Sequence, residues 1–461
     1  MQIEFHGAAG GVTGSCYLLE VADQKLLIDC GLYQGGREIE EENAKPFGFD
    51  PAEIDYVLLT HAHLDHCGRL PLLVKQGFRG EIITTGASRD LAKIILMDSA
   101  HLAEEEARRK TYQARKAGRK EPIEPLYSVL DALDTLDFFG RRMEYNRPTR
   151  IAKGIRATFI DAGHILGSAA ILLDLQESGR HRKVLFSGDL GNRGKPIVRD
   201  PAHPPHADVV VMETTYGNRP HKPLAPSVTE LYEAILDTLD RGGNVIIPTF
   251  ALERAQELLY FLREGIESKI LPRHLPVFLD SPMAISATEI FRRHPECYDR
   301  EANEIFHSGR DPLDLPNLYF TRETAESMRL NQIDSGAVIL AGSGMCTGGR
   351  VRHHLKHNLW RPECSLVFVG FAARGTLARI IIDGAQTVRL FGREIQVRAK
   401  RYTIGGFSAH ADCHELADWH RQTGRPELTF LVHGEDEARN AMAGRLDGRV
   451  ELPDLHSRYS L

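Results

Sequence analysis

The sequence predicts an α/β protein in which a parallel, helix-covered sheet is inserted into a domain built from both ends of the chain. Three observations predict it. In the first fifty residues, short apolar or alternating runs are separated by glycine-rich turns, which reads as a β-meander. From Val209 onward strands alternate with helices, the pattern of a parallel sheet covered on both faces. After residue 392 the opening style returns, with histidines at the ends of apolar strands. The expected division is 1–212 for the first part of the outer domain, 213–392 for the insertion and 393–461 for the second part. A chain of 461 residues accommodates about two or three domains.

The meander consists of Ile3 to Phe5, Ser15 to Leu19 and Lys25 to Ile28. Gly7 to Gly14 is glycine-rich but lacks the Lys-Ser/Thr ending and the dinucleotide spacing of phosphate loops, so it reads as a tight hairpin. Asp29 ends the third run, where an aspartate can simply cap a turn. Tyr56 to Leu59 reads as a buried strand that runs into Thr60-His61-Ala62-His63-Leu64-Asp65-His66-Cys67-Gly68. Imidazole nitrogens and carboxylate oxygens suit zinc and its first-row neighbours. Residues two apart on an extended segment point to one side, so His61 and His63 can reach one metal together. Asp65 and His66, past the turn, can face a second. The bland alternative is a few surface histidines; four ligand-type side chains gathered at one strand end argue against it.

Leu70 to Gln76 reads as a helix ended by Gly77. Asp90 to Arg115 is a long helical segment, and its basic end (Lys110, Arg115, Lys116, Arg119, Lys120) reads as a solvated helix end rather than an RNA contact. Ser128 to Phe138 places Leu130, Leu133 and Leu136 at helical spacing. Strand Ala157 to Ile160 leads to His164, where a third ligand for the first metal can enter. Strand Val184 to Ser187 leads to Asp189 between glycines, a turn residue or a carboxylate placed to bridge two metals. Strand Val209 to Met212 is followed by Glu213. Each ligand candidate stands at the carboxyl end of a strand, where open α/β architectures place their chemistry.

In the insertion, a helix from Ser227 to Arg241 opens with the capping-box pattern Ser227-Val228-Thr229-Glu230 and stops at Gly242-Gly243. Strand Val245 to Pro248, helix Leu252 to Arg263 and strand Val277 to Leu279 follow, and later strands Val338 to Ala341 and Leu366 to Val369. Between the last two, Gly342 to Arg350 forms a glycine-rich loop after a strand. It is turn chemistry alone, or its backbone N–H groups hold a phosphate. The basic residues behind it favour phosphate, with Ser343, Gly344, Met345, Arg350, Arg352, His353 and Arg374 as candidate RNA contacts. In the closing segment, His410 precedes a helix that runs to Thr423 and ends at Gly424; strand Leu428 to Val432 ends at His433, the ligand the second metal still needs.

A net charge of −6 argues against coating nucleic acid by bulk charge, although a local basic groove is enough for a substrate. Seven scattered cysteines without a Cys-x-x-Cys pair point to a reducing compartment. Neither a charged-then-apolar leader nor an apolar run long enough for a bilayer is read. A cytoplasmic protein with no membrane partner is expected.

His-x-His-x-Asp-His after a buried strand resembles the metal-binding motif of the metallo-β-lactamase superfamily. With Glu213, His410 in Phe-Ser-Ala-His and His433 in Val-His-Gly-Glu, the chain is similar to the β-CASP branch, the nucleases of RNA processing and DNA repair. That resemblance implies a four-layer αββα sandwich with an inserted β-CASP domain. It implies that Asp29 supports the metal ligands from behind, and the histidine at 433 favours RNA over DNA. The expected function is a two-metal hydrolase of single-stranded RNA. Zn2+ is held by His61, His63 and His164 and by Asp65, His66 and His433, with Asp189 bridging; Mn2+ or Fe2+ suits the same atoms. Two metals about 3.5–4 Å apart would share a hydroxide that attacks phosphorus. His410, oriented by Glu213, would protonate the leaving oxygen. Internal cleavage is expected, with 5′-3′ exonuclease action, a thioester or lactone hydrolase and a DNA nuclease as the alternatives. A homodimer or a place in an RNA-processing assembly is left open.

Overall fold

The computed structural model describes residues 1–35, 39, 41–118, 121–370, 372–373 and 375–461. Arg119, Lys120 and Arg374 therefore lie outside the described residues. The chain divides into two compact units, one of Met1–Arg193, Asp200–Pro220 and His410–Leu461, the other of Gly194–Arg199 and His221–Ala409.

The first unit is built on two seven-stranded sheets. One runs in the order Arg458–Ser460, Gln2–Gly7, Cys16–Val21, Gln24–Ile28, Tyr56–Leu58, Glu81–Thr85 and Phe139–Met143. The other runs Val450–Glu451, Leu428–Val432, Val209–Glu213, Arg180–Phe186, Ala169–Glu177, Ile155–Asp161 and Thr149–Ala152. Side chains alternate across each sheet. One set, including Phe5, Tyr17, Leu19 and Ile28 from the first sheet and Phe159, Ile171, Phe186, Val211 and Phe430 from the second, forms a shared core. The outer face of the second sheet is covered through Leu416 and Trp419 of helix Cys413–Gln422 and Met442 of helix Asp436–Ala443. Helices Leu70–Lys75 and Gly86–Lys116 flank the first sheet, giving four layers. Gln24–Ile28 pairs parallel with Tyr56–Leu58, and Arg180–Phe186, Val209–Glu213 and Leu428–Val432 pair parallel in turn, so their carboxyl ends gather along one edge.

The second unit carries a six-stranded sheet, Leu318–Phe320, Val277–Asp280, Val338–Ala341, Val245–Pro248, Ser365–Val369 and Lys400–Ile404, with every pairing parallel. Its last strand lies beyond the expected return at residue 393, because Lys400–Ile404 pairs with Ser365–Val369. Residues 194–199 join this unit through the Ile197 carbonyl, which accepts from Asp299 N at 2.7 Å.

One local expectation is corrected. Ser227 is not an N-cap: the helix spans Leu224–Asp240, and the Ser227 hydroxyl donates to the Pro223 carbonyl from inside the first turn. Pro226, in that same turn, is tolerated because the first N–H groups of a helix have no intrahelical acceptor. Reciprocal capping instead occurs at Ser128/Asp131 and Asp412/Glu415. The helix expected over Ser128 to Phe138 is present as Val129–Thr135 and a 3-10 turn Leu136–Phe138; it buries Ala132 and Thr135 and leaves Leu130 and Leu133 exposed at 64% and 51%. Among the described residues, no helix is long and apolar enough to cross a membrane.

Candidate metal centre

Six carboxyl ends of strands supply the site. Asp29 follows Gln24–Ile28, the His61–His66 loop follows Tyr56–Leu58, His164 follows Ile155–Asp161, Asp189 follows Arg180–Phe186, Glu213 ends Val209–Glu213, and His433 follows Leu428–Val432. The turn after Asp29 packs directly under the ligand loop: a Cβ on Gly31 would lie 1.7 Å from the Asp65 carbonyl oxygen. The Gly7 to Gly14 hairpin touches the site through backbone, the Ala8 and Gly11 carbonyls accepting from His433 N and Gly434 N. Asp29 and His433 are held at φ +62° and +48°, a region non-glycine residues rarely adopt and one that recurs at functional sites.

The side chains form two groups that share Asp189. His61, His63, His164 and Asp189 make one, and Asp65, His66, Asp189 and His433 the other; within each, one possible ligand atom per residue lies within 4.8 Å of the rest. In the first, His63 Nδ1 lies 3.1 Å from both His61 Nε2 and His164 Nε2. Asp189 Oδ2 is 3.5 Å from His61 Nε2 and 3.6 Å from His164 Nε2. In the second, Asp189 Oδ1 is 3.2 Å from His66 Nε2, and Asp65 Oδ2 is 3.4 Å from His433 Nε2. The carboxylate thus turns one oxygen to each group.

These groups fit divalent cations by the chemistry of their donors. Among the described residues, His66 Nε2, Asp189 Oδ1 and His433 Nε2 are buried without a hydrogen-bond partner, which a protein avoids unless something else satisfies them. Three ring nitrogens converging at hydrogen-bond distance suit a shared cation better than one another. Burial holds the His61 and His63 imidazoles below their usual range, His63 at about 4, and the neutral ring is the form that ligates. Burial alone would push Asp189 up, but the His433, His66 and His61 imidazoles facing it hold its carboxyl well below the usual range.

Asp29 accepts from Thr60 N, from Thr60 Oγ1 and from His66 Nδ1 at 2.7, 2.8 and 2.7 Å. A proton fixed on Nδ1 leaves the Nε2 lone pair pointing at the cluster. The Thr215 hydroxyl does the same service for His433 Nδ1 at 3.0 Å. Neither Thr60 nor Thr215 was singled out from sequence; adjacency to His61 and Glu213 was the only signal, and hydroxyls beside such residues are commonplace. Glu213 lies buried beside this centre. Its Oε1 accepts from Leu190 N at 2.7 Å and meets His410 Nδ1 at 3.2 Å; its Oε2 accepts from Thr215 N. Burial disfavours charge on His410, but Glu213 more than offsets it and raises the imidazole above its ordinary range.

The chain matches three family descriptions. Residues 9–249 match the metallo-beta-lactamase superfamily, 255–381 the Beta-Casp domain, and 394–452 the Zn-dependent metallo-hydrolase RNA specificity domain. The chain belongs to the β-CASP branch of the metallo-β-lactamase superfamily. As a member it is a hydrolase of the β-CASP ribonuclease group. It is 42% identical to Ribonuclease TTHA0252 of Thermus thermophilus, over 95% of this chain and 94% of that protein. It is 34% identical to the transcription termination factor FttA of Methanosarcina mazei, over 97% and 69%. To an RNase J-like protein of Methanocaldococcus jannaschii it is 30% identical, over 94% and 92%. A crystal structure of a protein of unknown function from Enterococcus faecalis shares the fold at TM-score 0.57 and 12% identity, covering 100% of this chain and 99% of that one.

The candidate RNA contacts of this β-CASP member fall in its second unit. The Arg350 guanidinium is engaged there, donating to Asp280 Oδ1 and the Thr321 carbonyl at 2.8 Å and to the Arg322 carbonyl at 2.6 Å, which ties it to the structure of the loop. Ser343, Gly344 and Met345 lie in the loop after Val338–Ala341, where Met345 Sδ accepts from Ala373 N and the Gly344 backbone rests against the Phe250 ring. Arg352 and His353 stand in the first turn of helix Val351–Asn358.

Proposed function

We propose that the protein hydrolyses phosphodiester bonds of single-stranded RNA at a centre of two divalent cations. His61, His63 and His164 would hold one cation and Asp65, His66 and His433 the other, with Asp189 shared. Zinc suits tetrahedral nitrogen and oxygen donors, and manganese or iron accept the same atoms. The observation that carries the proposal is Asp189, whose two oxygens face two separate sets of three ligand-type side chains. Cations held there would supply Lewis-acid stabilisation of the phosphoryl group and a nucleophile at neutral pH.

The remaining steps belong to the side chains. Glu213, fixed by two backbone N–H groups, orients His410 through Nδ1. His410 Nε2 is then the atom that delivers a proton to the leaving 3′-oxygen. The glycine-rich loop with Ser343, Gly344 and Met345, together with Arg352 and His353, would contact RNA phosphates. A ribonuclease among the relatives and a domain described as giving RNA specificity support RNA as substrate. Internal cleavage is our reading.

The test pairs His410→Ala with metal analysis. Cleavage of a single-stranded RNA labelled at either end should fall about 10²–10⁴-fold while metal content stays at the wild-type level. Loss of metal would make His410 a ligand instead. Intact RNA in the presence of an ester that the wild type hydrolyses would overturn the ribonuclease reading, and mononucleotides released from the 5′ end alone would replace internal by exonucleolytic cleavage.

A further inference from the structure

We propose that Phe391, with His353 and Arg352, forms a stacking platform for an unpaired nucleobase; this rests on RNA being the substrate. Strands Thr387–Leu390 and Arg393–Gln396 form a hairpin whose ends, Leu390 and Arg393, face each other across a two-residue turn. Phe391 and Gly392 fill that turn at φ +50° and +78°. Such a turn, with both central residues at positive φ, favours Asn-Gly or Asp-Gly, because asparagine and aspartate tolerate the left-handed region and a bulky ring does not. The position thus carries a phenylalanine against the local preference of the backbone.

Packing does not account for it. The hairpin is anchored by Val388, Leu390 and Val397, all buried in the core of the unit, and Phe391 is not part of that core. Its side chain instead lies at the surface, 47% exposed. The exposed His353 ring stacks on it at 4.5 Å and 29°, and the Arg352 guanidinium carbon lies 5.0 Å from its centroid. Arg352 Nε is buried and, among the described residues, meets no hydrogen-bond acceptor. Arg389 and Arg393 flank the tip, both exposed. An aromatic ring, a second ring stacked on it whose outer face is free to take a third, and cations around the edge are the components with which single-stranded nucleic acid is held without base-pair readout. Helix Val351–Asn358, which carries Arg352 and His353, follows directly on the glycine-rich loop, so one segment presents backbone N–H groups for phosphate and a π-surface for a base.

Phe391→Asn separates recognition from folding, because asparagine suits the turn. Binding of a 12-nucleotide single-stranded RNA and of a ribose-phosphate oligonucleotide of equal length without bases would be compared by fluorescence anisotropy, with melting temperature as control. The expected result is roughly ten-fold weaker binding of the RNA, unchanged binding of the abasic strand, a melting temperature equal to or above that of wild type, and wild-type RNA affinity in Phe391→Trp. Wild-type RNA affinity in Phe391→Asn would overturn the platform, as would a lowered melting temperature, which would make the ring a packing element. If the wild type cleaves RNA and Phe391→Asn binds it unchanged, the platform alone fails; if the wild type neither binds nor cleaves RNA, the ribonuclease reading fails with it.

Discussion

Asp189 and Asp280 are both buried carboxylates at the carboxyl end of a strand paired in parallel, one in each unit. Their surroundings differ. Asp280 accepts from Thr321 Oγ1 and Arg350 Nη1 on one oxygen and from Ser327 Oγ and His354 Nε2 on the other, at 2.6 to 2.8 Å. Among the described residues Asp189 Oδ1 is buried with no hydrogen-bond partner, and it faces His66 Nε2, which likewise has none. A carboxylate bonded on both oxygens tells of a structural network, and one that leaves an oxygen unbonded amid ligand-type nitrogens suits a shared cation. Ligand-type residues at strand ends are therefore insufficient evidence of a site; the two carboxylates differ in whether both of their oxygens are bonded and in how many ligand-type atoms converge on them.

The strongest way to break this comparison is to exchange the roles by mutation. Asp189→Asn should reduce RNA cleavage to background and abolish the melting-temperature drop that chelator causes in the wild type, since a cation that binds only the folded chain stabilises it. Asp280→Ala should keep its metal and that chelator response, but lose about 3–5 kcal/mol of stability in denaturant unfolding, because Arg350 and His354 are left without their carboxylate. Equal effects of the two substitutions would erase the distinction.

The same contrast has a pH dependence. Burial would raise Asp280, but the His354, Ser327, Thr321 and Arg350 donors hold its carboxyl at about 2, against 3.8 for a free side chain. Because the folded value lies below the unfolded one, its contribution is complete above about pH 4 and is lost as the pH falls from there toward 2. Asp280→Asn should flatten the stability profile in that window. A smaller effect is expected at Asp29. Replacing it by asparagine should lower metal affinity roughly 10–100-fold by releasing His66 from its tautomer, with the fold unchanged. Smallest is Ser227→Ala, which removes one buried hydroxyl bonded to the Pro223 carbonyl and should cost about 0.5–1.5 kcal/mol in denaturant unfolding.

Much of this was legible in the sequence, and for a physical reason. A site residue that follows a strand leaves two local signals, an apolar run and a chemically odd residue after it, and the side chains that the structure gathers, His61, His63, Asp65, His66, His164, Asp189 and His433, show both. The alternation from Ser227 onward announced the parallel sheet in the same way, whereas strand Val209–Glu213 before it pairs in the first unit. What stayed hidden depends on partners far along the chain. Arg350 looked like a phosphate contact because its neighbours are basic, and only the fold shows Asp280 beside it. Ser227 fitted a capping pattern, but the helix begins a turn earlier. Leu130 and Leu133 obeyed helical spacing, yet a helix this short turns the small residues Ala132 and Thr135 inward. Phe391 carries no motif; its meaning comes from the left-handed turn it occupies.

The most direct test is a calorimetric titration of chelator-stripped protein with Zn2+. Two equivalents should bind to the wild type, and His433→Ala, which removes a ligand from one group only, should retain one. A wild-type chain that binds no zinc, or a His433→Ala chain that binds it as the wild type does, would contradict the account of a shared pocket gathered from distant strand ends.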